Sequence, residues 1–126
     1  MPLDDKELKQ LFLQRLLSSD KVVVVEGKRD QEALRRIGFS GKTFVLNRKP
    51  LFAVAEEVAS AYNEAIILTD LDKEGKQLYA RLKTYLQRLG VSVDNYFREF
   101  LFKHTKLRQI EGLASVVQSV MPSLLW

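Results

Sequence analysis

The sequence predicts an α/β fold, in which a doubly wound, mostly parallel sheet of four strands has helices on both faces. Short apolar runs without polar alternation, at residues 21–25 and 65–68, are typical of strands buried on both faces of a parallel sheet. These runs alternate with segments of helical periodicity, as they do in right-handed strand–helix–strand crossovers. The expected strand order is 2-1-3-4, as in Rossmann-like folds, with an extra N-terminal helix and C-terminal helices.

In the first half of the chain, the apolar spacing changes from helical to strand-like and back. Asp4 and Glu7 are spaced as a capping pair ahead of an apolar helical stripe. Gly38 closes a short helix, and Pro50 fits the first turn of the next one. The predicted elements are, in order, a helix over 3–18, a strand over 21–25, a helix over 29–37, a strand over 43–46 and a helix over 50–62.

The second half continues the alternation and ends in helices. Gly90 ends a long leucine-rich helix, and a basic loop with Lys103, His104, Lys106 and Arg108 precedes the last helix. The predicted elements are a strand over 65–68, a helix over 73–89, a strand over 91–93, and helices near 95–103 and 110–121. Residues 1–126 are therefore expected to form one domain, with a core over about 21–93 and helical additions at 1–20 and 95–126.

The composition excludes several kinds of chemistry. The chain has no cysteine and one histidine, His104, so a cysteine nucleophile, a disulfide and a Cys-ligated zinc site are excluded. Any metal chemistry must then use carboxylates. With 20 Lys and Arg against 16 Asp and Glu, the net charge of +4 is compatible with a polyanionic partner. The N-terminus is polar and no apolar run reaches the ~20 residues of a membrane helix, so a cytoplasmic protein without membrane contact is expected.

Acidic residues follow two of the predicted strands. Glu26 comes directly after the first strand, and Asp70 and Asp72 come after the third. The order 2-1-3-4 places these strands side by side, so the three carboxylates are expected at one edge of the sheet. Such a set favours Mg²⁺, with Mn²⁺ as an alternative, completed by waters and a substrate phosphate. Asp30 and Glu74, in the first turns of the following helices, are either helix caps or residues that support the metal ligands.

Basic residues and glycines flank the same edge. The helices that begin near residues 29 and 73 point their N-terminal N–H groups into the crevice, which favours phosphate. Glycine lets the backbone approach a bulky ligand closely. The alternative is that the basic residues only solvate the surface. The candidates for nucleic-acid phosphate contacts are Gly27, Lys28, Arg29, Arg48, Lys49, Lys73, Gly75 and Lys76.

Residues 21–93 resemble the Toprim domain, which is shared by type IA and type II topoisomerases, bacterial-type primases, old-family nucleases, recombination-repair proteins and the nucleases that mature 5S ribosomal RNA. The family pattern is a glutamate after the first strand and D-x-D after the third. Here VVVVEGKRD contains Glu26, and ILTDLDKEG contains Asp70 and Asp72. The local sequence is most similar to small stand-alone Toprim proteins and the ribosomal RNA maturation nucleases. The position of Lys76 is usually acidic in the topoisomerases, so topoisomerase-like metal geometry is not expected.

The resemblance implies roles for these residues. Asp70 and Asp72 would be magnesium ligands, and Glu26 would be a ligand or the general acid/base of phosphoryl or nucleotidyl transfer. The favoured function is a magnesium-dependent nuclease for RNA or DNA, with RNA processing as one setting. One alternative is a non-catalytic, metal-dependent nucleic-acid-binding module that needs a protein partner. Another is primase-like nucleotidyl transfer. The sequence leaves open RNA or DNA, and a protein partner or a homodimer.

Overall fold

The computed structural model describes residues 2–120, and within them it has four β-strands and six α-helices. The end of the predicted C-terminal region, residues 121–126, lies outside the described residues. In chain order the elements are α1 (Asp5–Ser18), β1 (Val22–Val25), α2 (Lys28–Arg36), β2 (Thr43–Val45), α3 (Leu51–Ala61), β3 (Glu64–Leu68), α4 (Lys73–Arg88), β4 (Ser92–Asp94), α5 (Tyr96–His104) and α6 (Leu113–Gln118), with a 3₁₀ turn over Ile110–Gly112 before α6.

The strands form one sheet in the order β2-β1-β3-β4, and every pairing is parallel. This confirms the fold class and the strand order expected from the sequence. Val25, the last residue of β1, pairs with Val45 on one side and with Leu68 on the other. The carboxyl ends of β1, β2 and β3 therefore finish level, and the loops that follow them share one edge of the sheet.

The helices cover both faces of the sheet. Alternate residues such as Val23 and Ile66 pack with α1, α2, α5 and α6 on one face, while Val24 and Ile67 pack with α3 and α4 on the other. All four valines of β1 are buried, so this strand shows no polar alternation in the sequence. None of the described helices is both long enough and apolar enough to cross a bilayer.

The C-terminal segment differs from the sequence prediction of one helix over 110–121. It first forms the 3₁₀ turn, and α6 begins only at Leu113. The backbone N–H of Ile110 donates to the Asp70 carboxylate at 2.9 Å, and the N–H of Leu71 donates to the carbonyl of Arg108 at 2.7 Å. These bonds hold residues 108–110 against the loop after β3, so the segment belongs to the same edge of the sheet as the acidic residues.

Candidate metal and nucleic-acid site

Glu26, Asp70 and Asp72 lie at the carboxyl ends of β1 and β3, and together they are called the acidic edge below. Glu26 directly follows β1, and its Oε2 accepts a hydrogen bond from the backbone N–H of Asp70 at 2.6 Å. This bond joins residues that are 44 positions apart in the chain. It connects the loops after the two central strands, as their neighbouring places in the sheet require.

Each acidic side chain at this edge is held by a backbone N–H group. Asp70 Oδ1 accepts from Ile110 at 2.9 Å, and Asp72 Oδ1 caps α4 by accepting from Gly75 at 2.8 Å. Asp30, which is buried, accepts from the N–H of Gly27 at 3.0 Å and so fixes the start of α2. In each of these bonds one carboxylate oxygen accepts the N–H, which leaves the second oxygen of Asp70 and of Asp72 for a cation.

The carboxylates of the acidic edge do not by themselves form a complete metal site in the described part of the chain. Among residues 2–120, no three acidic or histidine side chains form a group that could hold a metal ion. Glu26, Asp70 and Asp72 are each bonded to a different backbone N–H through one oxygen. The donor set fits Mg²⁺ bound in its usual way, by one or two carboxylates, several waters and a substrate phosphate.

The acidic edge concentrates negative charge. Burial raises the pKa of Glu26, Asp30 and Asp70 above the usual values of these groups. Each of them accepts a backbone hydrogen bond that lowers its pKa, but repulsion from neighbouring carboxylates raises it again. A cation bound at this edge would relieve the repulsion, which is a second reason that the residues fit a metal.

A cleft of about 690 Å³ opens at the acidic edge, and it is called the first cleft below. Glu26, Asp30, Asp70 and Glu74 line it. Five of the eight predicted phosphate-binding residues line it as well, together with a cation that the sequence reasoning missed, Arg81. Those five are Gly27, Lys28, Arg29, Arg48 and Lys49. These five residues therefore lie together on the β1–β2 side of the edge, and phosphate binding by them stays a prediction.

The family model of the Toprim domain matches residues 20–96 of this sequence. The chain belongs to the Toprim family. A UPF0292 protein of Thermoplasma volcanium is 38% identical over 100 residues, which are 79% of this chain and 84% of the relative. A UPF0292 protein of Pyrococcus horikoshii is 35% identical over 113 residues, which are 90% of this chain and 84% of the relative.

A solved structure of a protein from Aquifex aeolicus shares the fold of this chain. Its TM-score is 0.71 at 29% sequence identity, and the match covers 87% of this chain and 98% of that chain. Toprim membership supports metal binding and an association with nucleic acid for this protein. Toprim domains generally bind Mg²⁺, in agreement with the hard carboxylate oxygens at the acidic edge.

The other three predicted phosphate-binding residues of this Toprim protein do not line the first cleft. A Cβ atom on Gly75 would lie 1.8 Å from the carbonyl oxygen of Asp70, so this glycine allows the first turn of α4 to pack on the D-x-D loop. The Lys76 ammonium lies 4.7 Å from the ring centroid of Phe102. Lys73 begins α4 and is exposed. Phosphate contacts by these residues stay a prediction.

The turn after β2 has an unusual backbone. Asn47 and Arg48 have φ angles of 46° and 62°, in the left-handed region that residues other than glycine rarely adopt. The N–H of Asn47 donates to the carbonyl of Glu26 at 2.9 Å, which ties this turn to the first acidic motif. Strained backbone of this kind clusters at functional sites. Here both residues of the turn line the first cleft.

Arg98 is a site residue that the sequence reasoning missed, and it lies just beyond the stretch matched by the Toprim model. It is only 8% exposed. Its Nη2 donates to the carbonyl of Asp70 at 2.7 Å, and its Nε donates to Thr69 Oγ1 at 3.3 Å. The guanidinium also lies 4.7 Å from the ring centroid of Tyr79. The sequence offered one clue to this role: Arg98 is a charged residue next to Phe97, in the part of α5 whose other buried residues are apolar.

Glu111 is a second residue that was missed. It lies in the 3₁₀ turn whose first residue, Ile110, donates its N–H to the Asp70 carboxylate, and it lines the first cleft. Its charge contributes to the raised pKa of Asp70. No local pattern marks Glu111, because its place depends on the return of the C-terminal segment to the sheet edge.

Proposed function

We propose that this Toprim protein is a magnesium-dependent enzyme that hydrolyses phosphodiester bonds in nucleic acid at the acidic edge. The observation that carries the proposal is the 2.6 Å hydrogen bond between the Glu26 carboxylate and the backbone of Asp70. It joins the two acidic motifs of the family beside a cleft that is lined by cations. A cytoplasmic location, as expected from the sequence, is part of the same proposal.

Asp70 and Asp72 are the residues that would hold Mg²⁺ or Mn²⁺. Each uses Oδ1 for a backbone N–H, so Oδ2 is the atom that would face the ion. When bound, the ion supplies positive charge that stabilises the phosphoryl and leaving oxygens. The N–H groups of Ile110 and Gly75 keep the two side chains in place for this task.

Glu26 is the residue proposed to move the proton. Burial raises the pKa of its carboxyl, and a raised carboxyl pKa brings a group closer to the range useful for acid–base catalysis. Oε2 is engaged by the Asp70 N–H, which leaves Oε1 to take a proton from the attacking water or give one to the leaving oxygen. Lys28, Arg48 and Lys49 at the rim would hold the phosphates on either side of the reacting one.

A second candidate function is metal-dependent binding without cleavage, completed by a protein partner or a homodimer. One observation favours it. In the part of the chain that the structure describes, no three acidic or histidine side chains already form a metal site. A partner that brings further groups to the acidic edge would then be needed for cleavage. The two candidates differ in whether the chain alone turns over a substrate.

Cleavage of structured RNA, single strands and duplexes is the direct test, with Mg²⁺ or Mn²⁺ and with EDTA. Glu26→Gln keeps an oxygen that can accept the Asp70 N–H but cannot carry the proton. We expect the cleavage rate to fall by about 10²–10⁴-fold while nucleic-acid affinity is retained or slightly increased. Glu57→Gln makes the same chemical change on the exposed face of α3 and should leave the rate unchanged.

Three results bear on the proposal in different ways. Metal-dependent cleavage by wild type that survives Glu26→Gln would contradict the proposed role of this residue. Binding without any cleavage would favour the second candidate. A reaction that proceeds only with added nucleoside triphosphate would instead indicate primase-like nucleotidyl transfer.

A further inference from the structure

We infer that the substrate is a polynucleotide chain that runs through two clefts meeting at the acidic edge, so that an interior phosphodiester bond lies between them. The inference rests on the proposed function and extends it, because it states how the substrate extends beyond the reacting phosphate. A nucleotide or a chain end would need one of the clefts only.

The second cleft has a volume of about 1230 Å³. It lies between α2 and the C-terminal segment, with one residue of α1 at its border. Its cationic lining residues are Lys9, Arg29, Arg36, Lys106 and Arg108. Small-molecule sites occupy roughly 300–1,000 Å³, so the second cleft is larger than a single nucleotide requires. Its size fits several consecutive nucleotides of one chain.

The two clefts are adjacent at the acidic edge and share part of their lining. Arg29, Gln109 and Glu111 line both of them. Asp70 borders the first cleft and Asp72 borders the second, so the D-x-D motif stands where they meet. A chain that passes from one cleft to the other along this edge would therefore lie beside the two aspartates that would hold the metal.

The second cleft has the charge pattern of a phosphate-binding surface. Within residues 2–120, Lys9 is the one member of its five cations that forms an ion pair, with Asp5 at 2.9 Å. Of its three acidic lining residues, Asp72 and Glu111 lie at the junction with the first cleft, and Glu32 alone lies away from it. Cations and neutral polar side chains are the groups that bind a nucleic-acid backbone without reading its sequence.

The second cleft also depends on parts of the chain outside the Toprim match. Lys9, Lys106 and Arg108 lie outside residues 20–96, and each belongs to the regions added before or after the sheet. The first cleft is built mainly by the loops after β1, β2 and β3. The added regions therefore supply most of the lining of the second cleft, together with α2, and they would set how much of the polynucleotide is bound.

Fluorescence anisotropy with labelled single strands tests this, in EDTA so that no cleavage is needed. The probes are a dinucleotide and a 12-nucleotide strand, each as RNA and as DNA. Arg36→Ala with Arg108→Ala removes two exposed charges of the second cleft. Lys28→Ala with Lys49→Ala does the same in the first cleft. Lys42→Ala with Arg88→Ala, at the opposite edge of the sheet, is the control, and melting curves verify folding.

We expect the second-cleft variant to bind the 12-nucleotide strand several-fold more weakly and the dinucleotide unchanged. Its slope of log affinity against log salt should become shallower by about 1.4, since each phosphate contact to a single strand contributes about 0.7. The first-cleft variant should bind both probes more weakly, and the control should match wild type.

Equal affinity of the second-cleft variant and the control for the 12-nucleotide strand would overturn the inference, as would a wild type that binds neither strand. A parallel loss of dinucleotide binding in the second-cleft variant would also contradict it. None of these results depends on turnover. Failure of the proposed catalysis would appear only in the cleavage assay. The proposed function and the proposed path of the substrate can therefore be contradicted independently of each other.

Discussion

Arg98 and Asp70 show how single residues shape the acidic edge. The Asp70 carboxylate accepts the backbone N–H of Ile110, while the buried Arg98 side chain donates to the carbonyl of the same residue. Arg98 also bonds Thr69, so it fixes two successive residues of the loop that carries the D-x-D motif. A buried cation behind the loop orients the carboxylates without occupying the place of a metal ligand.

Replacement of Arg98 should destabilise the protein because the carbonyl of Asp70 would lose its donor. For Arg98→Met, which also removes the charge, we expect the free energy of unfolding in urea to fall by about 1–3 kcal/mol. Arg98→Lys should recover part of this loss, because an ammonium can donate to the carbonyl but cannot reproduce the guanidinium fork. Equal stability of Arg98→Met and wild type would show that the hydrogen bonds contribute nothing.

The residue scale also shows what the sequence could reveal. Glu26, Asp70 and Asp72 could be selected as candidates because each lies in the loop that follows a strand whose burial is visible in the sequence, and parallel strands end at one edge. Arg98 and Glu111 were not found. Their positions depend on how α5 and the C-terminal segment pack against that edge, and local periodicity does not contain this information.

At the scale of elements, the first turn of α4 and the D-x-D loop form one tightly packed unit. Asp72 accepts from the N–H of Gly75, and the Thr69 hydroxyl donates to the Gly75 carbonyl at 2.7 Å. Both bonds require the helix backbone to lie directly against the loop. Gly75 is therefore a packing requirement of this unit, and its predicted close approach to a phosphate stays a prediction.

Gly75→Ala should be strongly destabilising, because the new Cβ would lie 1.8 Å from the Asp70 carbonyl oxygen unless the helix or the loop moved. We expect a loss of about 1–3 kcal/mol or more in the free energy of unfolding. Gly27→Ala is the matched control at the other acidic motif, since the nearest atom would be 3.8 Å away. A Gly75→Ala protein as stable as the Gly27→Ala protein would contradict this account of the packing.

The C-terminal segment is the element that the sequence predicted least well. Its backbone groups bond to the loop after β3 across a separation of 40 residues, between Ile110 and Asp70. The pattern of apolar residues predicted a helix but contained no sign of this contact. The strands were predicted well for the opposite reason, since burial on both faces leaves a continuous apolar run.

At the scale of the whole molecule, charge is distributed unevenly. The chain has a net charge of +4, yet carboxylates are concentrated at the acidic edge, where burial and then repulsion between carboxylates raise the pKa values of Glu26 and Asp70. A raised carboxyl pKa means that the folded protein holds its proton more tightly than the unfolded chain does. Ionised carboxylates at this edge therefore reduce the stability of the metal-free protein near neutral pH.

Asp70→Asn should consequently raise the melting temperature of the metal-free protein at pH 7 by a few degrees. The asparagine oxygen can still accept the Ile110 N–H, so the main change is the loss of charge. The stability cost of Asp70 begins as the unfolded carboxyl ionises, near its usual pKa of 3.8, and is complete above its raised folded pKa. The difference between the two proteins should therefore shrink as the pH is lowered towards 3.8.

Thermal melting in EDTA measures the stability cost of the Asp70 charge, and melting with excess Mn²⁺ measures the stabilisation by a bound metal. Glu57→Gln, on the exposed face of α3, removes one negative charge away from the edge and should leave the melting temperature nearly unchanged. Because a ligand that binds only the folded state stabilises it, Mn²⁺ should raise the melting temperature of wild type more than that of Asp70→Asn. If Asp70→Asn instead melts below wild type in EDTA at pH 7, the Ile110 hydrogen bond to the charged carboxylate outweighs the repulsion. An equal Mn²⁺ shift in both proteins would show that Asp70 is not a ligand.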